Sequence, residues 1–338
     1  MLTRRMFIER SMSTGILLGA GSSRWALGQE ADLRARNKAA VRRYKESQGT
    51  PEAASVASEV LAADYRRLRA GMANLGNNAR DQGFPSPGPG LRTAFPDRVD
   101  IIEDMIADGD RVGMLFRVTG THLGNFYGIP ATGRSIDIYE VGLFKLADGQ
   151  IIEAWFMVDE AGLLKQLGAQ LPPRDDGRLI APPITDTGED GDTVLARLTA
   201  MPPATQAERN KITVARSKSS SPPNDLRAAD YTRLRAGFQH LGDLGRATGA
   251  GDQTIGRAFP DRRDKVDNLL AEGDKVWMKF RLAGTNVNSI YGLPPTHERV
   301  EVPEIGIMRF DNGAWKEGWY FGDELGLLLQ LGVPDALV

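Results

Sequence analysis

Apolar residues recur at every second position from Ile136 to Leu146, broken only by Glu140 and Gly142. That period of two predicts a strand over Ser135–Leu146 with one buried face. Arg111–Thr121 alternates in the same way, Val99–Ile106 is apolar and β-compatible, and Gln150–Val158 reads as a last strand. Ala147-Asp148-Gly149 between the last two marks a hairpin turn. Upstream the spacing becomes helical. Arg36–Glu46 places Ala40, Val41 and Tyr44 on one stripe, and Pro51–Leu61 forms a second helix with its proline tolerated near the start. Asp159–Leu167 predicts a short closing helix that Gly168 can cap. Gln82–Gly90, rich in glycine and proline, reads as a loop. Helices followed by three or four long antiparallel strands define an α+β domain.

The same text then returns. Ala94–Gly168 and Ala258–Gly332 align without a gap. AFPDR opens both copies, at Ala94–Arg98 and Ala258–Arg262, and YG-x-P-x-T recurs at Tyr127–Thr132 and Tyr291–Thr296. Each copy closes with E-x-W-x-x-x-DE-x-GLL-x-QLG, at Glu153–Gly168 and Glu317–Gly332. Two tandem domains of one fold follow: the first over 32–170, a Pro/Gly/Asp-rich linker over 171–192, the second over 193–338. The second copy has lost most of its second helix, because Arg209–Ser220 runs directly into Ser221-Pro222-Pro223-Asn224.

Composition narrows the chemistry. A net charge of −2 over 338 residues offers no basic field for nucleic acid. The absence of cysteine removes disulfides, thiolate catalysis and zinc–cysteine sites. Only three histidines are present, and a histidine-rich metal site would need all of them to converge, so no metal is expected. Thr3-Arg4-Arg5-Met6-Phe7-Ile8 resembles the twin-arginine export motif; the short apolar stretch Met12–Ala20 and the small residues Ala26-Leu27-Gly28 follow it. Residues 1–28 are therefore expected to be a signal peptide, leaving a periplasmic or secreted chain with no stable membrane insertion.

Strand parity selects the candidate chemistry. Glu140 and, in the second copy, Glu304 stand in the middle of an otherwise apolar face, where an unpaired carboxylate is costly. Such a group is either paired or functional. In the last strand Glu153, Trp155, Met157 and Asp159 share a face, as do Glu317, Trp319, Phe321 and Asp323. Each aspartate sits at a strand-to-helix junction, where N-capping is its simplest role. Trp155 and Trp319 read as core residues or as walls of a pocket. The strand Arg111–Thr121 of the first copy aligns Phe116 with His122 just beyond it; the second copy aligns Phe280 with Asn286. No nucleophile elbow, phosphate loop or dinucleotide fingerprint is present. An apolar cavity with a few carboxylates suits acid–base chemistry on a hydrophobic carbonyl compound.

NKAAVRRYKE at Asn37–Glu46, GTHLGNFYGIPATGR at Gly120–Arg134 and DGQIIEAWFMVDEAGLLKQLG at Asp148–Gly168 resemble the SnoaL-like polyketide cyclases, also called ester cyclases, of the nuclear-transport-factor-two-like superfamily. The resemblance implies a cone-shaped α+β barrel in each copy, a curved antiparallel sheet wrapping N-terminal helices around a deep pocket. It also implies cofactor-independent ring closure with an aspartate as acid and base, at Asp159 and Asp323. Leu68 and Leu234 stand where the family often has histidine. Single-domain members usually dimerise, so the two copies are expected to form an intrachain pseudo-dimer, with further oligomers open. Asp159 is then expected to abstract an α-proton while Glu140 or His122 hydrogen-bonds the enolate, with Tyr127, Phe116 and Trp155, and in the second copy Tyr291, Phe280 and Trp319, around a small apolar carbonyl-bearing ligand. The alternative is a periplasmic binding or scaffold module that uses the same pocket without turnover.

Overall fold

The computed structural model describes residues 21–81, 91–172, 176–185, 187–250 and 255–337. The twin-arginine motif, the apolar stretch behind it and the 82–90 loop lie outside these residues. No helix among the described residues is long and apolar enough to cross a membrane.

In the first repeat α1 (Gly21–Glu46) and α2 (Ala53–Val60) lead into β1 (Leu61–Arg69), α3 (Ala73–Asp81) and a single turn, α4 (Leu91–Ala94). Strands β2 (Val99–Asp108), β3 (Arg111–Thr121), β4 (Ser135–Ala147) and β5 (Gln150–Val158) follow, and α5 (Glu160–Leu167) closes the repeat. The sheet order is β1-β5-β4-β3-β2. Strands β2 to β5 pair antiparallel, whereas β1 runs parallel to β5. The sheet is open: β1 and β2 form its two edges and do not pair, so neither repeat is a closed barrel. The alternation rule does not reveal β1 because it is an edge strand whose arginines are largely exposed and leave no apolar face to count. The hairpin turn takes positive φ at Asp148 and Gly149, as a two-residue turn between twisted strands requires.

The second repeat begins with β6 (Glu189–Asp190), α6 (Gly191–Thr199) and α7 (Gln206–Arg216). It continues through β7 (Arg227–Arg235), α8 (Gln239–Ala247), α9 (Ile255–Ala258), β8 (Arg263–Glu272), β9 (Lys275–Thr285), β10 (Arg299–Asp311) and β11 (Ala314–Gly322) to α10 (Glu324–Leu331). Residues 217–226, between α7 and β7, hold no counterpart of α2. Strand β6 adds to the sheet edge at β8, inside the segment that the sequence marks as linker.

Each sheet has two buried faces. In the first repeat Met114, Phe116, Ile138, Phe144 and Phe156 pack inward on Val41, Val56, Val60 and Leu163. The opposite face, Leu115, Val141, Trp155 and Met157, packs on Trp277, Ile305, Ile307, Trp319 and Phe321 of the second sheet. Each of these large side chains contributes roughly 1.5–3 kcal/mol when buried. Polar contacts around this seam recur with the repeats exchanged. Lys38 binds Glu272 at 2.7 Å and Lys211 binds Asp108 at 2.5 Å. Glu272 accepts from Ala107 N, and Asp108 accepts from Ala271 N, both at 2.9 Å. Arg111 reaches Asn268 at 2.6 Å, and Lys275 reaches Asp104 at 2.7 Å.

Candidate functional site

The inner face of the first sheet opens into a cavity of about 640 Å³ between β4, β5, the end of α1 and the start of β2. That volume suits a drug-sized ligand. Glu140 projects into it from the middle of β4, in register with Phe116 on β3 and Val158 on β5. Gly71 leaves the carboxylate room: a Cβ there would lie 2.3 Å from Glu140 Oε1. Tyr127, Met72 and Phe156 supply less polar wall. The expectation of an apolar hollow needs correction, because Lys45, Arg67, Arg92, Arg98 and Asp100 also line the cavity.

Glu140 belongs to a charged cluster. Arg98 Nη2 lies 3.9 Å from Glu140 Oε2, and Arg98 grips Asp100 through Nε at 2.8 Å and Nη2 at 3.2 Å. Lys45 Nζ, 2.9 Å from Asp100 Oδ2, stands 3.6 Å above the Phe116 ring. Burial lowers the Lys45 pKa, against the opposing pull of Glu140 and Asp100. Burial also disfavours ionised Asp100, but Lys45 and Arg98 outweigh it and hold the carboxyl below its usual range. Burial pushes the Tyr127 phenol up to about 12, with the Glu160 charge adding to it, so this hydroxyl is a neutral donor. The second repeat rebuilds the cluster with Lys218, Arg262, Asp264 and Glu304. Lys218 pairs with Asp264 and stands 3.4 Å over Phe280, and Arg262 Nε binds Asp264 at 2.7 Å. Burial raises the Glu304 pKa despite Lys218 and Arg262.

Asp159 lies elsewhere. It follows Met157 onto the face that meets the sister sheet, so it does not share the cavity with Glu140. Asp159 caps α5 by accepting from Gly162 N at 2.9 Å, and its Oδ2 lies 3.1 Å from His240 Nε2 and 3.6 Å from Arg235 Nη2 of the second repeat. Burial opposes its ionisation, but the His240 hydrogen bond and charge prevail and lower its pKa. Asp323 caps α10 and reaches back to the first repeat, to Arg69 Nη2 at 2.9 Å and Asn74 Nδ2 at 2.8 Å. The glutamates beside them, Glu160 and Glu324, are buried; desolvation pushes them up to about 8 and about 7. Trp155 and Trp319 are seam residues too, and not walls of the cavity.

His122 is a turn clamp outside the cavity wall. Its Nδ1 accepts from Thr132 N at 3.3 Å, and its ring stacks on Phe95. Burial keeps its pKa low. In the second repeat Asn286 Oδ1 accepts from Thr296 N, while Asn286 Nδ2 donates to Asn288 O, both at 2.8 Å. An amide thus does the imidazole's work. Tyr127 faces the cavity, whereas its counterpart Tyr291 is buried in the core of the second repeat. Lys45, Arg98 and Asp100 escape a reading of the sequence that follows apolar faces alone; their retention in both copies, as Lys218, Arg262 and Asp264, is the signal that marks them.

The fold and the cavity define an α+β protein with a pocket of ligand size in its first repeat. The profile of the SnoaL-like polyketide cyclases matches residues 40–167 and 252–331, more than half of the chain, and the chain belongs to this family. It is 28% identical over 145 residues to aklanonic acid methyl ester cyclase DauD of Streptomyces sp. (strain C5), covering 42% of this chain and 88% of that protein. It is 30% identical over 89 residues to aklanonic acid methyl ester cyclase DnrD of Streptomyces peucetius, covering 26% of this chain and 61% of that protein. A crystal structure assigned as a SnoaL-like polyketide cyclase from Jannaschia sp. CCS1 aligns at 26% identity and a TM-score of 0.34, over 42% of this chain and 96% of that one.

Proposed function

We propose that the first repeat carries a cyclase-type active site in which Glu140, and not Asp159, is the acid–base group. The observation that carries this reading is the place of Glu140: mid-strand, on the wall of a cavity of substrate size, beside Arg98. The substrate class is a carbonyl compound with an acidic α-proton, polyketide- or ester-like, in keeping with the methyl ester that the relatives' names specify. The Glu140 carboxylate removes the α-proton. The enolate oxygen is stabilised by the Tyr127 hydroxyl or the Arg98 guanidinium, and the carbanion adds to a second carbonyl of the same molecule. Glu140 then returns its proton to the new alkoxide. Holding base, donors and substrate in one cavity makes the proton transfers effectively unimolecular and stabilises the enolate along a fixed path. The Lys45–Asp100 pair positions Arg98.

The two repeats form an intrachain pseudo-dimer, supported by contacts that recur with the repeats exchanged. The second repeat is its structural half: α2, whose Ala53 helps roof the cavity of the first repeat, has no counterpart there. Export by the twin-arginine route is proposed from the sequence alone, and replacing Arg4 and Arg5 by lysine is expected to keep the protein in the cytoplasm.

The test is turnover of a polyketide methyl ester. Glu140→Gln should lower kcat at least 100-fold with the circular dichroism spectrum unchanged, consistent with the usual contribution of a positioned acid–base group, about 10²–10⁴-fold. Unchanged turnover in Glu140→Gln would refute the assignment. Ligand binding without conversion in the unmodified chain would favour the binding-module alternative.

A further inference from the structure

Where the two repeats meet, two matched polar clusters differ by one residue. In the first, Asn74 Nδ2 donates to Glu160 Oε2 and to Asp323 Oδ1, both at 2.8 Å. Leu75 N binds Glu160 Oε1 at 2.8 Å, Gly326 N binds Asp323 Oδ1 at 3.0 Å and Arg69 binds Asp323 Oδ2 at 2.9 Å. Every carboxylate oxygen there has a partner. In the second cluster His240 replaces asparagine, between Asp159 and Glu324. Imidazole offers a single nitrogen where the amide offers two hydrogens, and Glu324 Oε2 is left fully buried with no hydrogen-bond partner among the described residues.

That orphan oxygen points to a cation site. Asp159 Oδ2 lies 3.1 Å, and Glu324 Oε2 3.8 Å, from His240 Nε2, and the three atoms all fall within 4.8 Å of one another. Ligand atoms about 2.0–2.1 Å from zinc sit roughly 3.3 Å apart at the corners of a tetrahedron. The second oxygen of each carboxylate is already fixed by a backbone amide: Gly162 N holds Asp159 Oδ1 at 2.9 Å and Leu241 N holds Glu324 Oε1 at 3.0 Å. Such outer contacts orient metal ligands. The competing cation stands back. Arg235 Nη2 is 3.6 Å from Asp159 Oδ2, while Nη1 is spent on Tyr320 O at 2.6 Å; the matching Arg69 binds its aspartate directly. Two carboxylates there face one guanidinium and one imidazole. Asp159 and His240 keep side-chain exposures of 11% and 15%, which gives an ion an approach from solvent.

We propose that Asp159 Oδ2, His240 Nε2 and Glu324 Oε2 form a zinc-class divalent metal site that ties the first repeat to the second. Three ligands drawn from far-apart positions, two on one repeat and one on the other, give no local spacing motif.

The test uses the full chain stripped with chelator. Titration with Zn²⁺ by calorimetry should show one equivalent bound at micromolar Kd or tighter, and Co²⁺ should give the visible absorption of a four-coordinate N/O site. His240→Asn, which copies the sister cluster and so should fold, is expected to weaken Zn²⁺ binding at least 100-fold. Glu324→Gln, a second and independent variant, should weaken it at least 10-fold. Absence of saturable binding by the unmodified chain, or equal binding by His240→Asn, would overturn the site and leave an imidazole–carboxylate pair only.

Discussion

His122 and Asn286 show how one position can be filled by different chemistry for the same end. Both accept the backbone N–H of a threonine ten residues on, and thereby close the loop after β3 or β9. His122→Asn should therefore cost only about 1 kcal/mol, the value of one imperfect hydrogen bond. His122→Ala strands the Thr132 N–H and opens a void beside Phe95, and should cost about 2–4 kcal/mol. Urea denaturation of the two variants checks this; equal losses would show that the ring, and not the acceptor, matters. Glu304 gives a pH prediction. Its folded pKa is raised by burial, so the native state holds its proton where the unfolded chain, with a pKa of about 4.3, has released it. Stability linked to Glu304 is present below that value and is lost as pH rises through the folded pKa. Glu304→Gln should flatten this fall, so its stability relative to the parent chain should increase with pH, as denaturation at a series of pH values would record.

At the scale of elements, parity read from the sequence carried a good deal of the site and also misdirected it. Alternation along β4 correctly placed Glu140 inward, and that along β5 correctly grouped Trp155 with Asp159. Parity says which residues share a face and is silent on what covers that face. The β5 face is covered by the second sheet, so the catalytic aspartate that the family resemblance implied stands in a seam, not in the cavity. The edge strand β1 and the Asn74–His240 exchange were equally hidden, the first for want of an apolar stripe, the second because its partners come from the other repeat. The end of β1 offers a direct test of which cavity works. At Gly71 a Cβ would lie 2.3 Å from Glu140 Oε1, and at Gly237 one would lie 2.4 Å from Glu304 Oε1. Gly71→Ala should displace Glu140 and reduce turnover at least 10-fold. Gly237→Ala should displace Glu304 and lower thermal stability by about 1–3 kcal/mol, the usual cost of overpacking, with turnover retained. The reverse pattern would place the active site in the second repeat.

The whole molecule is held by a seam whose two halves are no longer alike. Trp277 of β9 is almost fully buried, and its ring comes within 2.6 Å of where a Cβ on Gly113 would stand. Gly113 and Trp277 occupy the same position in their repeats, directly after the valines Val112 and Val276. The bulky residue of one repeat thus fills the notch left by the small residue of the other. Two first repeats would face glycine with glycine and leave a void; two second repeats would press indole on indole. This complementarity favours pairing within the chain over pairing of like with like, which is specificity built partly by exclusion. Removing the indole should cost about 3–5 kcal/mol, as for other buried tryptophans, and the loss falls on the contact that couples the repeats. Trp277→Ala is therefore expected to turn a single calorimetric unfolding transition into two. Gly113→Trp alone should destabilise by crowding, whereas Gly113→Trp combined with Trp277→Gly moves the ring to the matching side and should recover a large part of the loss. Recovery beyond the sum of the single effects is the decisive measurement, because only residues that face each other across the seam can compensate in this way.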